Sequence, residues 1–381
     1  MSARPRPSVR AGIIGTGFMG AVHANAIRMS GGVVAAVASR SHEGALAALA
    51  RLGGAEASES PDALIDRHDL DVIHICAPNW AHAELAAKVL ASGKSVVCEK
   101  PLATTVEDAI ALAVLAQEAG TVAAVPFVYR FYPAVREARA RLHAGEAGHL
   151  WLLHGSYLQD WMSNAGTSNW RVDPLLGGDS RAFGDIGVHW CDLMEFVTGH
   201  RITRLTAKSS KAFDQRSGGG DFMPVRTEDG ATLLFETDHG AVGSLVVSQV
   251  SPGRKNRLSF SFDGTEASFQ FDQEQPGTLW IGDTGSTRSI AVGAETMLSA
   301  QGRKYALLPA GHPQGYQDAF NAFVTDVYDA VDGGSPDGLP TFFDGVRAAQ
   351  LTAAVLQSTV TDEWVSVPEF VTISTMTERQ R

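Results

Sequence analysis

The sequence predicts two domains: a doubly wound parallel α/β sheet, then an α+β domain with a large, mostly antiparallel sheet. Three observations carry this. Short, near-continuously apolar runs alternate with Ala/Leu-rich stretches through the first third of the chain. A G-x-G-x-x-G turn joins the first apolar run to the first helical stretch. After about Pro126 the apolar runs become interrupted by polar residues and separated by hairpin-type turns.

Each element has its own reason. VRAGIIG, VVAAVAS, DVIHICAP, KSVVCEKP and TVAAVPF read as strands, and their near-continuous apolar character suits strands buried on both faces. HAELAAKVLASG and TTVEDAIALAVLAQEAG read as helices between them; in the second, Thr104 and Glu107 have the capping-box spacing and Gly120 closes the end. Alternation of this kind gives a parallel sheet. Further on, GHLWLLHGSYLQD, ATLLFETDHGAVGSLVVSQV, NRLSFSFDGTEASFQFD and TLWIGD read as strands, with turns at DHG and DGTE. Two late helices, YQDAFNAFVTDVYDAV and FFDGVRAAQLTAAVLQS, flank the loop DGGSPDGLP. The chain shows no internal repeat, and the boundary falls between residues 1–127 and 128–381.

Composition narrows the class. A chain of 381 residues with 44% hydrophobic and 19% charged residues can bury a real core. A net charge of -11 argues against nucleic acid or an anionic membrane as partner. No apolar run approaches the roughly 20 residues that span a bilayer, and the N-terminus carries no separate apolar stretch of the secretion-signal type. The three cysteines, Cys76, Cys98 and Cys191, are scattered through apolar segments, which reads as reduced thiols of a cytoplasmic protein.

Gly15, Gly17 and Gly20 lie between the first strand and the first helix. The first glycine permits the tight turn, the second lets backbone approach a pyrophosphate, and the third allows close helix packing. With Phe18 and Met19 between them, they predict a Rossmann-type dinucleotide site at a helix N-terminus. An NAD site commonly ends its second strand with an acidic residue on the ribose. Here Ser39 and Arg40 stand in that place, which tips the choice between NAD and NADP toward NADP. In CEKPLA, Glu99 and Lys100 end a buried strand, where open α/β sheets bind ligands, and Pro101 restricts the Lys100 backbone. A lysine there either stabilises a developing alkoxide or merely faces solvent.

The stretch FGDIGVHWCD sets Asp185, His189 and Asp192 on one stripe of a predicted helix that is otherwise apolar. Buried charges are costly unless paired or used, so the stripe is a metal site, a proton-transfer site or a buried ion pair. Three ligands on one helix converge poorly on a metal, and no second cluster completes a shell, so no metal is expected. Asp185 alone also suits a helix cap. The loop YLQDWMSNAGTSNWRVD brings Tyr157, Asp160, Trp161 and Arg171 together, a mixture of aromatic and hydrogen-bonding groups that suits a polyhydroxylated ring.

Taken together, GTGFMG, APNWAHAELAAKVLASGKSVVCEKP, VYRFYPAV and FGDIGVHWCDL resemble the glucose–fructose oxidoreductase/inositol dehydrogenase (Gfo/Idh/MocA) family, in the family's order and over nearly the whole chain. GSYLQDW and the helix after it look like the family's levoglucosan dehydrogenase-like branch of sugar dehydrogenases. The resemblance implies a Rossmann domain, a C-terminal sheet that supports homo-oligomer contacts (dimer or tetramer), and NAD(P)-dependent oxidation or reduction of a secondary carbinol of sugars or cyclitols. It implies Lys100, Asp185 and His189 as the catalytic group, with His189 the proton acceptor and Lys100 the stabiliser of the carbonyl oxygen. It further implies Asn79, His82, Glu99 and Lys100 on the cofactor side and Tyr129, Arg130, Asp185 and His189 on the substrate side. Two other readings remain: a redox-assisted, NAD-dependent glycosidase of the same family, and a dinucleotide-binding regulator without turnover.

Overall fold

The computed structural model describes residues 8–167, 169–218 and 221–369, which divide into two compact units. The first comprises residues 1–103, 107–126 and 320–345, and the second residues 104–106, 127–319 and 346–381. The segment 320–345 therefore groups with the N-terminal unit, where the sequence boundary places it in the second domain.

In the first unit six parallel strands, β1 (Arg10–Ile14), β2 (Val33–Ala38), β3 (Glu56–Ala57), β4 (Val72–Ile75), β5 (Ser95–Cys98) and β6 (Ala123–Ala124), pair in the order β3-β2-β1-β4-β5-β6. All of β4 and β5, and all but the first residue of β1 and β2, are buried, as their near-continuous apolar runs require. The order reverses between β1 and β4, which opens a crevice at the carboxyl edge. Gly15 follows β1, Ser39 and Arg40 follow β2, Asn79 and His82 follow β4, and Glu99 and Lys100 follow β5, so all reach this one edge. The returning segment is tied in by Ser30 to Thr325 at 2.9 Å and by the Val125 N–H, which donates to Pro340 O at 3.2 Å.

The second unit is built on a nine-stranded sheet. Its strands β7 (Leu150–Leu158), β8 (Ile202–Ser210), β11 (Gly230–Thr237), β12 (Val242–Ser248), β13 (Arg257–Gly264), β14 (Ser268–Asp272), β15 (Thr278–Gly282), β16 (Thr287–Ala291) and β17 (Val365–Ser366) run in the order β16-β15-β14-β13-β7-β12-β11-β8-β17. A separate two-stranded ladder pairs β9 (Gln215–Gly218) with β10 (Asp221–Pro224). Only β7 and β12 pair in parallel, so the sheet is mixed and mostly antiparallel. The predicted hairpins at DHG and DGTE join β11 to β12 and β13 to β14.

The FGDIGVHWCD helix packs on this sheet through Trp190, whose Nε1 donates to Ser259 O at 2.9 Å. Gly155 in β7 makes room for it, because a Cβ there would lie 2.3 Å from the indole nitrogen. Among the described residues no helix is long and apolar enough to cross a membrane.

Candidate active site

The glycine turn has three different environments. Gly15 has φ +108°, and a Cβ on it would lie 2.4 Å from the Cys76 carbonyl carbon and oxygen, so β1 and β4 close on a residue without a side chain. A Cβ on Gly20 would lie 2.3 Å from Gly15 O, so the helix Phe18–Met29 can pack this close only through glycine. Gly17 meets nothing within 4 Å. The turn is thus closed on the protein side and open beside Gly17 at the helix N-terminus, the arrangement a pyrophosphate fits. Arg51 braces the turn by donating to Thr16 O. Phe18 is exposed and Met19 half-buried at the same helix start.

At the end of β2 the Ser39 hydroxyl donates to Ser41 O at 2.8 Å, and Ser41 caps the next helix through the Gly44 N–H at 3.2 Å. Arg40 is exposed, and no carboxylate among the described residues pairs with it. Beyond β4, Asn79 begins a short 3-10 turn and His82 is buried. The two ring nitrogens of His82 sit 2.8 Å from Ala77 O and 2.7 Å from Pro101 O, joining the loops that follow β4 and β5. Burial lowers the His82 pKa, with these carbonyls pulling the other way. The Lys100–Pro101 peptide is cis, and Lys100 N–H donates to Glu99 Oε2 at 3.2 Å.

In the second unit the sequence helix begins differently from its expectation. Phe183–Gly187 form a π-turn, and the α-helix runs Val188–Thr198. Glu228 holds the start: its Oε1 accepts from the Ser180 hydroxyl at 2.7 Å and from Phe183 N–H at 2.9 Å, and its Oε2 accepts from Arg181 N–H at 3.2 Å. Glu228 and Ser180 therefore fill the capping role considered for Asp185. The wider π-turn also rotates Asp185 relative to a regular stripe, so Asp185, His189 and Asp192 meet three different sets of neighbours.

Asp185 is half-buried where residues 181–191 are otherwise buried. Its Oδ2 accepts from Gln249 Nε2 at 2.7 Å, and its Oδ1 lies 3.5 Å from Arg171 Nε. Arg171 in turn lies over the Trp170 ring at 4.4 Å. His189 is 8% exposed and walled by aromatic rings, with centroids of Phe127 at 5.6 Å, Tyr129 at 5.2 Å and Tyr157 at 6.4 Å. Asp192 instead forms a buried bidentate ion pair with Arg130, Oδ2 accepting from Nε at 2.8 Å and Oδ1 from the terminal nitrogen. Arg130, expected on the substrate side, has its guanidinium committed to this pair and to the Phe196 ring at 4.9 Å.

Tyr129 and Tyr157 share a hydrogen bond, and Asn256 closes a ring with them: Tyr157 O–H donates to Asn256 Oδ1 at 2.8 Å and Asn256 Nδ2 donates to Tyr129 Oη at 3.2 Å. Burial pushes the Tyr129 phenol up to about 12, against its bonds to Tyr157 and Asn256 and with help from the charge of Asp185. Tyr157 is raised for the same first reason, again with a contribution from Asp185. Both phenols therefore stay protonated and present donors and acceptors beside His189. Gln159 extends the string, donating to Asn256 Oδ1 at 2.7 Å and accepting from Trp161 Nε1 at 2.8 Å. Asp160 turns to Lys255 Nζ at 2.6 Å, which lowers its pKa. Among the described residues no group of three His, Cys, Asp or Glu side chains has the spacing to hold a metal.

Residues 9–127 match the family described as "Oxidoreductase family, NAD-binding Rossmann fold", and residues 135–270 match the "GFO/IDH/MocA C-terminal domain". Levoglucosan dehydrogenase of Pseudarthrobacter phenanthrenivorans is 30% identical over 391 aligned residues, covering 95% of this chain and 99% of the relative. The chain belongs to the Gfo/Idh/MocA oxidoreductase family. Among its Gfo/Idh/MocA relatives, scyllo-inositol 2-dehydrogenase (NAD(+)) of Bacillus subtilis is 28% identical over 79% of this chain and 80% of its own length. A solved structure of levoglucosan dehydrogenase in complex with NADH and L-sorbose superposes with a TM-score of 0.89 at 29% identity, covering 95% of this chain and all of that one. An oxidoreductase domain protein from Kribbella flavida superposes with a TM-score of 0.88 at 32% identity, again over 95% of this chain and all of the other. The chain is thus an oxidoreductase with an NAD-binding Rossmann fold.

Sequence reasoning missed the residues that hold this candidate site in shape. Gln249, Asn256 and Glu228 are separated from their partners by 64, 99 and 48 positions. The local signal is limited to a polar amide, Gln249, directly after β12.

Proposed function

We propose that the protein catalyses NAD(P)-dependent oxidation or reduction of a secondary carbinol on a sugar, sugar derivative or cyclitol. The observation that carries this reading is full-length similarity to levoglucosan dehydrogenase in a chain that has Lys100 just after β5 and Asp185 and His189 in the stretch 183–198. Gly15, Gly17, Gly20, Phe18 and Met19 would hold the pyrophosphate side of the dinucleotide, and Ser39 and Arg40 its adenosine ribose. Asn79, His82 and Glu99 would hold the nicotinamide half. When bound, the dinucleotide supplies the hydride acceptor or donor.

The chain's own residues do the acid–base work. His189 takes the hydroxyl proton of the carbinol, since an imidazole exchanges protons near neutral pH. Lys100 donates to the same oxygen and stabilises the negative charge that develops there. Asp185, fixed by Gln249, offsets the positive charge that His189 acquires. Tyr129, Tyr157, Trp161 and Arg171 supply aromatic faces and donors for ring hydroxyls, with Asp160 at the rim. Arg130 acts from behind by fixing this segment through Asp192. An uncommitted Arg40 with no opposing carboxylate favours NADP over NAD. The oligomer would be a homodimer or tetramer and the compartment the cytoplasm.

The test is a screen of levoglucosan, L-sorbose, scyllo-inositol and related sugars with NAD and NADP, following reduced nicotinamide by absorbance. Turnover with any of them supports the reading; none with either cofactor refutes it.

A further inference from the structure

Four side chains of the first unit form one buried string. Tyr328 Oη lies 3.1 Å from His74 Nε2, His74 Nδ1 lies 2.9 Å from His23 Nδ1, and His23 Nε2 lies 3.0 Å from Glu99 Oε1. Both imidazoles are fully buried, and Tyr328 and Glu99 are 5% and 6% exposed. Glu99 Oε2 accepts from the backbone N–H of Lys100. Three of the four therefore lie outside the proposed chemistry, yet the string ends on the residue that carries the lysine.

Counting hydrogens gives the string a direction. Burial raises the Glu99 pKa, but the hydrogen bond from His23 and the charge of Lys100 act against it and bring it below the ordinary value. Its carboxylate is then an acceptor only, so His23 must carry a hydrogen on Nε2. Burial holds the His74 pKa well below 6.5, so His74 carries a single ring hydrogen. The two facing Nδ1 atoms can share only one hydrogen between them. With one hydrogen on each ring, every group is satisfied: Tyr328 O–H to His74 Nε2, His74 Nδ1–H to His23 Nδ1, and His23 Nε2–H to Glu99. A second hydrogen on His23 would reverse the first two links and place another charge in a ring packed against Phe320 at 4.7 Å.

We propose that Tyr328, His74 and His23 are positioning residues for Lys100, a one-way hydrogen-bond string that fixes Glu99 and, through it, the strand-end backbone bearing the lysine. This rests on the role given to Lys100 above. It also gives the 320–345 segment a task in the N-terminal unit, because Tyr328 supplies the first donor.

The test combines nitrogen NMR of the full chain, with isotope-labelled histidine, and steady-state kinetics. At neutral pH the string requires His74 to carry its hydrogen on Nδ1 and His23 on Nε2. Hydrogens on both nitrogens of His23, or the His74 hydrogen on Nε2, would overturn the direction. Tyr328→Phe should lower kcat about three- to tenfold, the worth of one buried hydrogen bond, while the KM for the carbinol stays within about twofold. An unchanged kcat, or a change confined to KM, would overturn the positioning role. Full turnover by Lys100→Ala would instead remove the catalytic role of the lysine, and the tautomer pattern would survive that result, so the two failures are distinguishable.

Discussion

Asp192→Ala should weaken the fold of the second unit far more than it weakens the chemistry. Arg130 and Asp192 have side chains 9% and 8% exposed and form two charge-assisted hydrogen bonds in parallel geometry. Removing the carboxylate takes both of these hydrogen bonds from a buried guanidinium that also lies over the Phe196 ring. Breaking such a pair from one side costs about 3–5 kcal/mol. At roughly 2–4 °C per kcal/mol for a unit of this size, the melting temperature should fall by about 6–20 °C. The paired replacement Arg130→Met with Asp192→Leu should recover most of that loss, because both desolvation costs disappear together. Differential scanning fluorimetry gives the stabilities, and turnover per folded molecule is measured well below the melting range. A fall under about 2 °C for Asp192→Ala, or an activity loss with unchanged melting, would refute the structural role and return Asp192 to the proton-transfer site.

Other consequences follow from the same geometry. Gly17→Ala fits open space and should leave stability unchanged while weakening dinucleotide affinity at least about tenfold, whereas Gly20→Ala meets backbone at 2.3 Å and should destabilise the fold by about 1–3 kcal/mol; equal behaviour of the two in melting and fluorescence titration would refute the reading of the turn. The depressed pKa of His74, together with that of His82, means that the unfolded chain takes up protons below about 6.5 that the folded chain does not. Stability should therefore fall as pH drops below that value, by up to about 1.4 kcal/mol per pH unit for each histidine, and urea midpoints that do not move over this window would contradict it. Arg40→Ala should weaken NADP about tenfold or more and NAD about twofold or less; an equal effect on both would remove the basis for the NADP preference.

The parts of the fold set by local physics were legible in the sequence. Five strands of the parallel sheet announce themselves as near-continuous apolar runs, and the glycine turn as a spacing whose steric logic the Gly15 and Gly20 contacts repeat. The hairpins β11–β12 and β13–β14 follow from their turns. What stayed hidden depends on distant partners. β8 was missed because Arg204, Thr206 and Lys208 break its apolar pattern. A 3.6-residue stripe predicts Asp185, His189 and Asp192 in one line, and nothing in FGDIG by itself signals a π-turn held by Glu228 from 45 positions away. Likewise the partners of Asp192 and His74, Arg130 and Tyr328, lie 62 and 254 positions off. Residue type marks Asp192 as a buried polar group in need of a partner, but periodicity carries no information about which partner the fold supplies.

The most direct test of the central claim is turnover of the purified chain across the sugar and cyclitol panel with each dinucleotide, beside Lys100→Ala and His189→Ala. The account predicts net formation or consumption of reduced nicotinamide with at least one substrate, reduced about 10²–10⁴-fold in each variant while dinucleotide affinity is retained. Full turnover in either variant, or release of a sugar with no net change in reduced nicotinamide, would contradict it.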